Sequence, residues 1–198
     1  MTGDALSRLD QQFAFLLEAD RLKQVLRATT VGDGTRQENS GEHSWHLALY
    51  AMVLADQAAP GVDINRVIRM LILHDLVEID VGDVPIHSAN GQAHGSEAVQ
   101  KAEADAARRI FGLLPADTGA TLHALWQEFE ANQSPDAIFA KSLDRVQPVL
   151  QNILAGGGSW TTYQVTFDQL EARVGVKIAR GAPGLWDWVR DKTRPFFG

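Results

Sequence analysis

His43, the adjacent pair His74-Asp75 and the later Asp144 are the residues of this sequence whose types suit one piece of chemistry. Two imidazoles and two carboxylates offer the nitrogen and oxygen donors that hold a single divalent metal ion. The pair stands inside Leu71-Ile72-Leu73-His74-Asp75-Leu76-Val77-Glu78-Ile79, an apolar run that would bury more easily without it. Burying polar groups without partners is costly, and for an isolated His-Asp pair a hydrogen-bonded place in a core is the simpler reading. The case for a metal therefore rests on the distant His43 and Asp144. Glu78 follows Asp75 by three residues and His74 by four, so on a helix its carboxylate rises from the same face one turn on. From there it can reach a water at the metal. Asp83, just beyond, also fits an ordinary Gly-Asp turn.

Helices must position these groups, because apolar residues recur at helical spacing along nearly the whole chain. Leu6, Leu9, Phe13, Leu16, Leu17, Leu22, Val25 and Leu26 predict a first helix over Ala5 to Leu26. Ser40 reads as the N-cap of a second helix that carries His43 near its start and runs to about Ala59, before Pro60-Gly61. Asp63 caps a third, reaching about Ile79; Gly82 and Pro85 end it, and a polar loop from Ile86 to Gly95 follows. Ser96 to Phe111, Asp117 to Ala131 and Pro135 to Leu154 read as three more, with Pro148 predicted to kink the last or end it early. Gly156-Gly157-Gly158 is expected to be a flexible joint ahead of two closing helices, Thr166 to Ala179 and Pro183 to Lys192. No stretch shows the sustained period-two alternation of a strand. The expectation is an all-α, single-domain helical bundle over residues 1–198, with the candidate metal core in about 22–152 and the segment 159–198 packed on it.

Composition narrows the function. A chain of 198 residues with 45% hydrophobic content can bury one core, and two domains would be cramped. The absence of cysteine removes disulfides, thiolate metal sites and cysteine nucleophiles, and fits a reducing compartment. Met1 to Asp10 lacks the basic start and apolar core of a leader, and the longest uncharged apolar stretch, Leu47 to Ala55, is too short to span a bilayer. The chain is therefore read as cytoplasmic. Lys and Arg number 18 against 25 Asp and Glu, a formal charge of −7, which argues against binding a long nucleic acid. A small anion remains a suitable partner, since a bound cation and one or two arginines reverse the local field.

Taken together, Glu42-His43, His74-Asp75-Leu76-Val77-Glu78, Gly82-Asp83-Val84-Pro85, Leu125-Trp126-Gln127-Glu128-Phe129-Glu130 and Lys141-Ser142-Leu143-Asp144-Arg145 resemble the HD-domain metal-dependent phosphohydrolases, most of all their 5'-deoxynucleotidase branch. The resemblance runs from about Leu22 to Asn152. It implies an all-helical fold in which His43, His74, Asp75 and Asp144 bind the metal, Glu78 serves the water nucleophile, and Asp83 contacts the substrate sugar or water. Leu22-Lys23-Gln24-Val25-Leu26-Arg27 matches the segment whose arginine grips the 5'-phosphate in that branch, which makes Arg27 the counterpart. The tryptophan that follows this arginine closely in the family is replaced by Ala28-Thr29-Thr30, a departure at the sugar-reading position.

The implied activity is hydrolysis of a nucleoside 5'-monophosphate by a metal-activated water, with no covalent intermediate. Two alternatives stand beside it: an HD enzyme of another class, cleaving a phosphoanhydride or oxidising a substrate through two metals, and a non-catalytic nucleotide or metal sensor. Mixed nitrogen and oxygen donors favour Mn, Co, Fe, Ni or Zn over Mg. His87 and His94 are candidates for a second metal, although loop histidines in solvent are commoner. Arg36, Lys141 and Arg145 could add positive charge, and His46 could orient its neighbour. His123, Trp126, Trp186 and Trp188 read as packing residues and Trp45 as core or subunit contact. The apolar helix faces suit a homodimer.

Overall fold

Val67, Met70 and Leu71 recur at the three- and four-residue spacing of one helix face, and in the computed structural model, which describes residues 7–93 and 95–197, that face is fully buried. It belongs to α3 (Ile64–Leu73), which starts at Asp63, whose carboxylate accepts the N–H groups of Asn65 and Arg66. The central element is α7 (Pro135–Leu154). It packs against α2 (Ser40–Val53), α3, α6 (Ala116–Ala131), α10 (Val176–Gly181) and α11 (Pro183–Thr193). Pro148 does not end α7 early, one of the two outcomes expected of it, and the helix runs on to Leu154. An interior proline costs a helix about 3 kcal/mol, whereas fully burying each of Leu143, Val146 and Val149 contributes roughly 1.5–3 kcal/mol. Packing wins.

The N-terminal segment departs most from the helical expectation. Helix α1 spans only Arg8–Ala19, a 3-10 turn covers Asp20–Gln24, and a strand β1 (Leu26–Thr30) follows, paired antiparallel with β2 (Gln37–Asn39). β-Branched Thr29, Thr30 and Val31 favour extended backbone, and along β1 the burial alternates with Arg27 and Thr29 inward and Leu26 outward. Hydrophobicity is thus inverted relative to burial, which hid the strand. Ala5 and Leu6 lie outside the described residues. Of the expected apolar stripe Leu22 is buried, but Leu9, Phe13, Leu16, Leu17 and Leu26 are exposed.

Elsewhere the differences are local. Asn39, not Ser40, caps α2 and forms a capping box with Glu42, and α2 stops at Val53 rather than near Ala59. After α5 (Glu97–Phe111) and α6, the expected helix from Thr166 to Ala179 is broken into α9 (Phe167–Leu170), a π-helical turn over Glu171–Gly175, and α10. Gly175 is pressed so closely on Trp186 that a Cβ there would overlap the indole. The glycine run forms a hydrogen-bonded turn in which the Gly157 N–H donates to the Asn152 carbonyl at 2.8 Å. Asn152 Oδ1 accepts both the N–H and the hydroxyl of Ser159 as α8 (Gly158–Thr162) begins. Trp126 and Trp186 are buried as expected, and His123 stacks on Phe111, whereas Trp188 is exposed. No helix among the described residues is long and apolar enough to cross a membrane.

Candidate active site

The buried stripe of α3 continues one step further, and the next residue on it is His74. There the helix tightens into a 3-10 turn over His74–Val77, all four residues buried, before α4 (Glu78–Val81). Trp126 Nε1 donates to the His74 carbonyl at 3.2 Å, so the change of pitch leaves that carbonyl partnered. His43 reaches the same point from α2, and Asp144 from α7.

Each imidazole is anchored through one nitrogen. His74 Nδ1 donates to the Leu71 carbonyl at 2.8 Å, because a carbonyl can only accept. Gln147 Nε2 donates to Glu38 Oε1 at 2.8 Å, so Gln147 Oε1 is the atom left to accept from His43 Nδ1 at 3.0 Å. Both Nε2 atoms therefore face inward. His43 Nε2 lies 3.2 Å from Asp144 Oδ1 and 4.0 Å from Asp75 Oδ2; His74 Nε2 lies 2.9 Å from Asp75 Oδ1 and 3.6 Å from Asp144 Oδ1. His74 Nε2 is buried without an aligned hydrogen bond. One donor atom each from His43, His74 and Asp75 lie within 4.8 Å of one another, a spacing a single ion can bridge. These three residues fit a divalent metal, and Asp144, outside the triplet, borders it through Oδ1.

Electrostatics point the same way. Burial alone would push the His74 imidazole down, but Asp75, with Asp144, outweighs it and lifts the group to about 10. Burial likewise opposes the charged forms of Asp75 and Asp144. His74 with Arg27 holds the first carboxyl below the usual range, and Arg145 with the two imidazoles holds the second there. The cluster thus draws a cation to its centre. Burial, reinforced by Asp75, pushes Glu78 well up, and Ser40 Oγ donates to Glu78 Oε2 at 2.5 Å. Burial also raises Asp83.

Arg27 is 9% exposed and sits among carboxylates: Nη1 lies 2.9 Å from Asp75, 3.8 Å from Asp83 and 4.0 Å from Glu78, and Nε lies 3.6 Å from Glu38. Asp83 Oδ2 also accepts the Ala28 N–H at 3.2 Å, fixing β1 against the turn after α4. Three residues of this shell escaped the sequence reading. Glu38, 2% exposed, takes hydrogen bonds from Gln147 and from Gln151 and lies 3.5 Å from His43 Nδ1. Asp144, Gln147 and Gln151 stand three and four residues apart on α7, so polar groups recurring along an otherwise buried stripe were the available signal.

Arg27, Glu78, Asp83, His74, Asp75 and Asp144 all border one cavity of about 260 Å³. Ala28 and Thr29 line it as well, as do Lys141 and Arg145. The remaining candidates fall elsewhere or have other partners. His87 lines the cavity but pairs with Arg173 Nη1 at 3.4 Å and is outside the clustered donors; His94 lies outside the described residues. His46 contacts the Gln147 amide, Arg36 pairs with Glu42, and Trp45 is exposed away from the cavity.

Comparison with known proteins identifies the family. The HD domain family profile matches residues 19–186. Human 5'-deoxynucleotidase HDDC2 is 33% identical over 138 residues, 69% of this chain and 64% of its own length. The chain thus spans less than two thirds of that relative. A 5'-deoxynucleotidase of Erwinia tasmaniensis is 25% identical over 165 residues, 80% of this chain and 83% of its own. The crystal structure of a predicted metal-dependent phosphohydrolase from Magnetospirillum magnetotacticum MS-1 superposes with a TM-score of 0.87 at 42% identity, covering 96% of both chains. A family profile spanning most of the sequence and a shared fold place the chain in one family: it belongs to the HD domain family.

Proposed function

We propose that this chain is a metal-dependent phosphomonoesterase that releases phosphate from nucleoside 5'-monophosphates, in keeping with the names of its human and Erwinia relatives. The observation that carries the reading is the meeting of two Nδ1-anchored imidazoles with Asp75 and Asp144, where His74, Asp75 and Asp144 border a cavity that Arg27 and Glu78 also line and the fully buried His43 stands behind them. His43, His74, Asp75 and Asp144 would hold a divalent ion, which when bound would supply Lewis-acid charge at the phosphoryl group and favour ionisation of a nearby water. The mixed donors favour Mn, Co, Fe, Ni or Zn over Mg.

The chain's own groups do the rest. Glu78, pushed up by burial and by Asp75, is a stronger base than an exposed glutamate, and Ser40 holds one of its oxygens while the other accepts the water's proton. Arg27 carries permanent charge to the phosphate oxygens, a contact that competes with its pairing to Asp75. Phosphoryl transfer needs mainly positioning and charge compensation, which these groups provide. Asp83 borders the cavity next to β1 and is the candidate for the sugar or for water. The exposed apolar residues of α1 support a homodimer, and the lack of cysteine suits a cytoplasmic setting.

A phosphate-release screen over nucleoside mono-, di- and triphosphates with Mn, Co, Zn and Mg tests the reading. Monophosphates should be hydrolysed in a metal-dependent way, and Glu78→Gln should lower the rate about 10²–10⁴-fold. Absence of metal-stimulated monophosphate release, or an undiminished Glu78→Gln variant, would discard it.

A further inference from the structure

We infer that the wall of the cavity formed by Lys141, Arg145 and Lys177 is a second anion subsite, which takes the additional phosphate of a doubly phosphorylated nucleotide. The inference rests on the proposed reading that Arg27 and the metal ligands take the first phosphate.

The geometry begins at Asp144, whose two oxygens face different neighbours. Oδ1 lies 3.2 Å from His43 Nε2 and 3.6 Å from His74 Nε2, while Oδ2 lies 3.4 Å from Arg145 Nη1. One carboxylate therefore separates the Arg145 guanidinium from the candidate metal point, a short step that suits two phosphate groups carried by one molecule. Lys141 and Arg145 are four residues apart on α7 and rise from the same side of that helix. Lys177 comes from α10, which packs on α7, and lines the same cavity.

Charge on this wall is in surplus. Lys141 is paired with Glu130 at 3.0 Å, and Asp144, which faces Arg145, is shared with the imidazoles. Lys177 has no ion pair among the described residues. Arg145 foremost, then burial and Lys141, push its ammonium down to about 8, as expected where cations crowd without enough anions. Glu103, which lines the same cavity, offsets the surplus only in part, because burial and Glu130 push it up to about 7. In a chain of net charge −7, three cations on one cavity wall concentrate the attraction for a small anion where a second phosphate would lie.

Calorimetric binding to the Mn-loaded Glu78→Gln protein, in which turnover is slowed, tests this with deoxyadenosine 5'-monophosphate, the 5'-diphosphate and the 3',5'-bisphosphate. At least one doubly phosphorylated ligand should bind about tenfold more tightly than the monophosphate, and which one does tells whether the second group lies on the phosphate chain or on the sugar. Lys177→Met should reduce that ratio to about threefold or less, and Lys177→Arg should keep it. Equal affinities for all three ligands, or a ratio unchanged in both Lys177→Met and Lys141→Met, would overturn the subsite. Failure of the wild-type protein to hydrolyse the monophosphate would instead count against the proposed activity, so the two failures are separate.

Discussion

His43, His74, Asp75 and Asp144 are 0–8% exposed and each is held by a second group, whereas on the facing side Ala89, Asn90 and Gln92 of the loop after α4 and Lys177 on α10 are exposed. On the buried side every donor has a partner that fixes its direction: Leu71 for His74, Gln147 for His43, Ser40 for Glu78. On the facing side the cations are graded in burial: Arg145 is 6% exposed, the Lys141 side chain 13%, and Lys177 is exposed. The difference teaches where each kind of work belongs. A metal and a proton-accepting carboxylate need directed, dehydrated atoms whose positions are set before the ligand arrives. Recognition of a charged substrate needs field and access more than exact placement.

If that division holds, damage should be greatest on the buried side and should shrink toward the surface. Asp144→Asn keeps the shape and removes the charge shared by the two imidazoles. Bound metal should be lost and phosphate release should fall at least about 10³-fold. Metal analysis beside the phosphate assay checks this, and a variant that keeps both would erase the contrast between the two sides.

Glu38→Gln sharpens the contrast, because Glu38 lies on the Nδ1 side of His43, away from the inward-facing Nε2, and acts through its neighbours. It receives both Gln147 and Gln151, and Gln147 orients His43. An amide at position 38 can turn an N–H toward these amides and unsettle the chain that sets the His43 tautomer. Metal affinity should weaken about 10–100-fold, read by competition with a chelator. Unchanged affinity would mean that Glu38 only packs.

The smallest effect on catalysis belongs to the outermost residues. Phe13→Glu with Leu16→Glu on the exposed face of α1 should leave the turnover within about twofold. Sedimentation should show the assembly moving from dimer to monomer. A wild-type protein that already sediments as a monomer would remove the dimer from the proposal.

Legibility in the sequence followed how many independent signals each element carried. Helix α3 had a capping aspartate, a buried stripe and glycine and proline beyond it, and its start was read correctly. Helix α1 had a stripe alone, and the apolar side chains on it turned out to face solvent, because periodicity reports a face without saying what covers it. The hairpin was missed because Arg27 points inward to carboxylates while Leu26 points out, the reverse of the pattern that marks a strand. Glu38, Gln147 and Gln151 were passed over because nothing in their local sequence says that they meet. They are 109 and 113 positions apart in the pairs that bond.

By itself the sequence determined the set of chemical groups and the helices on which most of them ride, since residue type and spacing are local properties that periodicity and caps reveal. Only the tertiary structure decided which nitrogen of each imidazole faces inward, that Arg27 arrives on a strand, and that cations from α7 and α10 line one cavity with His74, Asp75 and Asp144. The reason is physical. Hydrogen-bond direction, desolvation and Coulomb interaction depend on distances through space, and those are fixed when packing brings remote segments together.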